Sequence, residues 1–143
     1  MSTTTSSVDW EYFARLAGDA IVGADARGKI FFWNAAAERV FGHSAEEALG
    51  QSLDLIIPER FRARHWEGYR RVMETGKSRY GSEVLRVPAL HKEGRQLSIA
   101  FTVVLLDPPA SESRVIVAVV RDETTRWNEE RALRLRLKQL EGA

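Results

Sequence analysis

An α+β fold, with one antiparallel sheet of five strands and helices stacked on one of its faces, is what this sequence predicts. Three observations predict it. Strand-like patterns fall in two groups, a pair before residue 34 and three after residue 77. Between the groups runs a series of capped helical segments that ends in one long amphipathic helix. Tight turns close the first pair and join the first two strands of the later group, so a single antiparallel sheet is the simplest closure.

The elements follow in order. Residues 8–17, VDWEYFARLA, have the spacing of a short amphipathic helix carrying Trp10, Phe13 and Leu16. AIVGAD and ARGKIFFW read as two strands, with turn chemistry from Asp25 to Gly28 between them. Asn34 is an N-cap for AAAERVF, and Gly42 closes that helix. Ser44 and Glu47 have capping-box spacing for one or two more turns. SLDLII leads into a helix that opens at Pro58 and stops before Gly76. SRYGSEVLRVPAL reads as a strand interrupted by Gly81 and ended near Pro88. HKEGR is a turn, QLSIAFTVVLL an alternating strand, DPPASES a loop and RVIVAVVRD a β-branched strand. Asp122, Thr124 or Thr125 caps a final helix over TRWNEERALRLRLKQLEGA.

Composition narrows the function. A chain of 143 residues with 44% hydrophobic and 29% charged side chains suits one globular domain. Twenty-one basic residues against twenty acidic ones leave a net charge of +1, which gives no pull toward nucleic acid or an anionic membrane. The absence of cysteine excludes disulfides, thiolate iron–sulfur ligation, c-type haem attachment, a cysteine nucleophile and a flavin–cysteinyl photoadduct. No apolar run approaches the roughly 18 residues of a membrane span. The MSTTTSS start lacks the features of a signal peptide, so a cytoplasmic location is expected. No GxGxxG, P-loop, GxSxG or HExxH occurs, and no nucleophile–base pair assembles, so an enzyme is not expected.

The long helix poses the chemical question. Phe61, His65, Tyr69 and Val72 form one stripe, which Trp66 and Met73 widen, while arginines 60, 62, 64, 70 and 71 lie mostly elsewhere. An imidazole therefore sits in the middle of the face meant for the core. On its residues alone it is either a ligand or a core histidine bonded to a backbone carbonyl and water. His43, in a turn between helices, and His91, in a hairpin turn, are expected to be exposed, and neither joins His65 in a metal cluster.

The order of elements and the residues DAIVGADARGKIFFWNAAAERVFGHSAEEALGQSLDLIIPE, then HKEGR, then VVRDETT, resemble a PAS domain. The likeness runs from about Asp19 to Thr125. It implies the PAS fold over 19–125 followed by a C-terminal signalling helix over 126–143; before it, the residues themselves read as a disordered tail over 1–7 and a flanking helix over 8–18. The likeness also implies a sensor or interaction module.

Within it, PERFRARHWEGYRR is similar to the corresponding helix of haem-binding PAS domains of the rhizobial oxygen-sensing kinase type. That likeness makes His65 the axial ligand of a b-type haem and sets Arg71 where a propionate is contacted. Trp66, Tyr69, Leu85, Val87, Ile99, Phe101 and Val103 would line the apolar slot, with Arg71 and Arg79 at its rim. Those oxygen sensors place an arginine twenty residues beyond the histidine; here the position is Leu85, with Tyr80 and Glu83 as nearby polar groups. The expected signal is a diatomic gas or a redox state. A cofactor-free dimerisation or relay module, and a PAS domain for another small ligand, stay open beside it. Leu133, Leu137 and Leu140 have coiled-coil spacing, so the last helix either meets a second copy, giving a homodimer, or packs on its own domain. The downstream signalling protein or fused output domain is not specified by these residues.

Overall fold

A computed structural model describes residues 7–77, 83–107 and 113–142. The element order is α1 (Trp10–Leu16), β1 (Ala20–Ala24), β2 (Ile30–Trp33), α2 (Ala35–Phe41), α3 (Ala45–Ala48), two 3₁₀ turns (Leu53–Ile56 and Glu59–Phe61), α4 (Arg62–Thr75), β3 (Leu85–Leu90), β4 (Gln96–Leu106), β5 (Val115–Asp122) and α5 (Thr124–Glu141). The expectations for residues 1–6, for Gly81 and for residues 108–112 lie outside the described residues.

The five strands form one sheet in the order β2-β1-β5-β4-β3, antiparallel throughout. The two sequence groups meet where β1 pairs with β5, Ala20 opposite Val120 and Ala24 opposite Ile116. Register places Ala20, Val22 and Ala24 on the same face as Val120, Ala118 and Ile116, and these beside Phe101, Val103 and Leu105. Leu85, Val87 and Ala89 continue that face across β3. It is the face the helices cover, because alternate residues of a strand share one side. The core is densest near β1 and β2, where Ile30, Trp33, Ala36, Ala37 and Phe41 are all buried. The Trp33 and Phe41 rings lie 5.4 Å apart.

The helix caps follow the local sequence. Asn34 Oδ1 accepts the Ala37 N–H, and Gly42 ends α2 at φ 83°. Ser44 and Glu47 form the reciprocal capping box at α3. Gly76 ends α4 at φ 72°. At α5 the expected cap is corrected: the N-cap is Glu123, without a side-chain cap bond, and Asp122 Oδ1 accepts the Thr124 N–H from one position earlier.

Glu47 also meets Lys92 Nζ at 2.6 Å, and the ammonium with the Ser44 N–H holds its carboxyl down to about 2 from 4.5. The unfolded chain then binds this proton at higher pH than the folded one. The pair's contribution is complete above about 4.5 and is lost as pH falls toward about 2. Both side chains are half-exposed, so salt weakens the pair. Glu47→Gln should flatten the fall of the urea midpoint across that acid window, and an unchanged slope would show that the pair contributes nothing.

Three further expectations are corrected. β3 does not end at Pro88 but runs through it to Leu90, with Pro88 opposite Ser98. β3 is an edge strand, where a residue without an N–H costs the ladder nothing on its outer side. The long helix does not begin at Pro58; a 3₁₀ turn over Glu59–Phe61 precedes α4. His91 is buried at 7% exposure, not solvent-facing, because α2 ends in Gly42, whose missing side chain leaves room for the ring. Its Nδ1 accepts the Glu93 N–H at 3.0 Å. His43 is half-buried.

Candidate functional site

α4 lies across the β1–β2 turn and is held there by its aromatic residues. Trp66 Nε1 donates to Asp54 Oδ1 at 2.7 Å, and Tyr69 OH donates to the Asp25 carbonyl. The Trp66 ring fills the space above Gly28: a Cβ at Gly28 would stand 2.1 Å from its Cη2. Arg62 adds bonds to the carbonyls of Ile57 at 3.0 Å and Asp54 at 3.2 Å. An indole or phenol that goes into a core needs a partner for its polar tip. Here the partners come from segments 12 and 44 residues away in sequence.

His65 sits in this aromatic group, its ring 4.6 Å from Trp66 and 5.5 Å from Tyr69 between centroids. Its Nδ1 is buried and has no hydrogen-bond partner. Burial pushes the imidazole below its ordinary pKa, and the Asp54 carboxylate offsets this only in part. At neutral pH the ring is therefore neutral, the form that ligates metals. Burial likewise pushes the Tyr69 phenol well above its ordinary range, which keeps it a donor.

The other expected slot residues divide. Tyr69 and Ile99 belong to one buried cluster, with Trp66, Met73 and Phe101 packed against it. Leu85, Val87, Ile99, Phe101 and Val103 share the inner face of the sheet. Ile99 is buried, but Leu85, Phe101, Val103, Ile116 and Ala118 are only half-buried, and Val87 is 39% exposed. The sheet floor beside α4 is thus apolar and incompletely covered. Arg71 lies in solvent and pairs with Glu67 at 3.4 Å, so it does not face this floor. A residue two positions past Tyr69 falls on the outer side of the helix. Arg79 and Tyr80 lie outside the described residues.

Sequence reasoning missed Asp54, Gly28 and Arg114. Arg114, at the foot of β5, donates to the Met73 carbonyl at 2.7 Å and to Asp107 Oδ1 at 2.7 Å. It thereby ties the C-terminal end of α4, where carbonyls lack helical partners, to the strand that leads to α5. At the other end of β5, the Ser98 N–H donates to Thr124 Oγ1 at 3.0 Å and the Glu123 N–H to the Ser98 carbonyl at 2.8 Å. A chemical event beside α4 thus has a bonded path through β5 to the first turn of α5.

A model of the family described as the PAS fold matches residues 9–123. This chain belongs to the PAS family. As a PAS domain it is a signal-sensing module. It is 34% identical over 116 residues to an uncharacterized protein of Azorhizobium caulinodans, covering 80% of this chain and 16% of that one. It is 32% identical over 95 residues to the oxygen sensor protein DosP of Escherichia coli, covering 66% and 12% of the two chains. Over 47 residues it is 45% identical to the sensor protein FixL of Bradyrhizobium diazoefficiens, covering 33% and 9%. The chain therefore spans a sixth or less of the length of these relatives. Among solved structures, a PAS domain from Colwellia psychrerythraea superposes with a TM-score of 0.68 at 24% identity, covering 80% of this chain and 93% of that one. No helix among the described residues is long and apolar enough to cross a membrane.

Proposed function

We propose that this PAS domain binds one b-type haem, which His65 would hold, and reports a diatomic gas or the iron's redox state through α5, without turning over a substrate. The observation that carries the reading is the half-buried, neutral His65 imidazole, whose buried Nδ1 has no partner while the other buried polar side-chain atoms among the described residues are bonded. An unsatisfied buried nitrogen is costly unless it has work to do. The residues fit the group. His65 supplies the donor, Trp66 and Tyr69 fix the ring's position, and the half-covered floor of Leu85, Phe101 and Val103 offers the apolar surface a macrocycle needs. Bound haem would supply an iron centre that takes up a gas or an electron. The relationship to an oxygen sensor supports the same reading. Leu85 is apolar where an arginine would favour bound oxygen, so the choice among gases rests on other groups.

The test is a hemin titration followed by absorption, oxidised and then reduced with dithionite, in wild type and His65→Ala. The expected result is a Soret shift that saturates at one hemin per chain and is abolished in the variant while the far-ultraviolet spectrum is kept. An identical, unsaturable response in both proteins would remove haem from the account.

A second reading, a cofactor-free dimerisation module, is favoured by a separate observation. Trp10, Phe13 and Leu16 of α1 and Leu133, Leu137 and Leu140 of α5 are all more than half exposed, and neither helix has a buried residue. We propose that these apolar sides meet a second copy. Removing residues 126–143 should then lower the sedimenting mass from dimer to monomer, or weaken the dimer at least about tenfold if α1 shares the contact. An unchanged dimer would take the leucine seam out of the interface.

A further inference from the structure

We propose that α5 carries a docking stripe for an acidic amphipathic helix, on a side of the helix separate from its leucine seam. Trp127, Arg131, Arg134 and Lys138 recur at i, i+4, i+7 and i+11, which gathers them into an arc of about 60°. The seam of Leu133, Leu137 and Leu140 lies roughly 120° around the helix from that arc. A second copy on the seam therefore leaves the stripe free.

Several arginines pair with carboxylates: Arg15 with Glu11, Arg95 with Glu93, Arg114 with Asp107, Arg121 with Asp19 and Arg126 with Glu130. The stripe instead gathers three unpaired cations on one arc of one helix. Among the described residues, Arg131, Arg134 and Lys138 have no carboxylate within ion-pair distance. Arg131 instead lies over the Trp127 ring, 5.5 Å from its centroid. Arg134 repels Arg131 at i−3 and Lys138 at i+4, and Glu130, at i−4 of Arg134, offsets this only in part because it bonds Arg126. α5 has no buried residue, so tertiary packing does not offset that repulsion. Carboxylates on a second helix, at the same 3-and-4 spacing, would relieve it.

The edges of the stripe select the partner. Glu130 and Glu141 border it on one side and Leu135 on the other. Leu135, 53% exposed, gives an apolar anchor to a helix that is acidic along one strip and hydrophobic beside it. The bordering carboxylates would repel a phosphate backbone, and Glu129 and Glu130 flank the leucine seam and would repel an anionic bilayer. An acidic amphipathic helix is the partner that meets the cations without meeting these.

The experiment uses the full chain and a labelled synthetic helical peptide with glutamates at i, i+4, i+7 and i+11, read by fluorescence anisotropy. A matched peptide with glutamine at those positions is the neutral comparison. Wild type should bind the glutamate peptide, more weakly as salt rises. Arg131→Gln/Arg134→Gln/Lys138→Gln should weaken it about tenfold or more with α5 helicity kept by circular dichroism. Leu137→Gln, which adds no charge beside Arg134, should leave peptide affinity unchanged. Failure of wild type to prefer the glutamate peptide, or equal binding by the triple variant, would overturn the proposal. So would tighter binding of single-stranded RNA, duplex DNA or phosphatidylserine vesicles through the same three residues. None of these readouts depends on haem.

Discussion

Asn34→Leu is expected to lower the unfolding free energy by about 3–5 kcal/mol, read as a fall in the urea midpoint at constant slope. Asn34 is 2% exposed and uses its whole amide. Its Oδ1 accepts the N–H groups of Ile21 and Ala37, both at 2.9 Å. Its Nδ2 donates to the carbonyls of Ala14 at 2.9 Å and Asp19 at 3.1 Å. One side chain thus caps α2, pins the start of β1 and holds the last turn of α1. Leucine is close in volume but strands two N–H groups, each costing about 1–3 kcal/mol, and two carbonyls that recover part of their loss from water. Asn34→Asp separates the parts. It keeps an acceptor for Ile21 and Ala37 but loses both donors, so hydrogen-exchange protection should fall in α1 and persist in α2. A loss under about 1 kcal/mol in Asn34→Leu would mean that these bonds are replaced by water and that the hub is incidental.

Gly28→Ala is the second large effect. Gly28 has φ +83°, a conformation that costs an L-residue about 1–2 kcal/mol, and its new Cβ would stand 2.1 Å from Trp66 Cη2. Overpacking of that kind adds about 1–3 kcal/mol, for a total near 2–5 kcal/mol by thermal or urea unfolding. Trp66→Leu removes the colliding ring. If the contact is the cause, Gly28→Ala in that background should cost at least about 1 kcal/mol less than in wild type. Additive losses would confine the effect to the backbone. Trp66 also touches His65, so Gly28→Ala should disturb the imidazole as well, visible as a shifted His65 ring resonance.

What local chemistry can specify, the sequence specified. Asn34, Ser44 with Glu47, Gly42 and Gly76 punctuate the helices because each satisfies or ends a backbone within a few residues of itself. The alternation of Leu97, Ile99, Phe101 and Val103 fixes which side of β4 faces inward, since strand periodicity is two. The stripe of Phe61, His65, Tyr69 and Val72 locates the helix face that carries the candidate site.

The tertiary structure decided what depends on vacant volume and on partners far along the chain. Pro88 stays in its strand only because β3 falls at the sheet edge, a matter of strand order. His91 is buried because Gly42, from another element, leaves space for it. Trp66 finds its site over Gly28 and its acceptor in Asp54, and Tyr69 its acceptor in Asp25, across separations that no spacing rule encodes. The unpartnered Nδ1 of His65 belongs to the same class. A helical wheel brings an imidazole to the core face, but only the packed surroundings determine whether each of its nitrogens finds a partner there. α5 shows the converse: its leucine spacing is plain in the sequence, yet only the fold reveals that none of the described residues covers it.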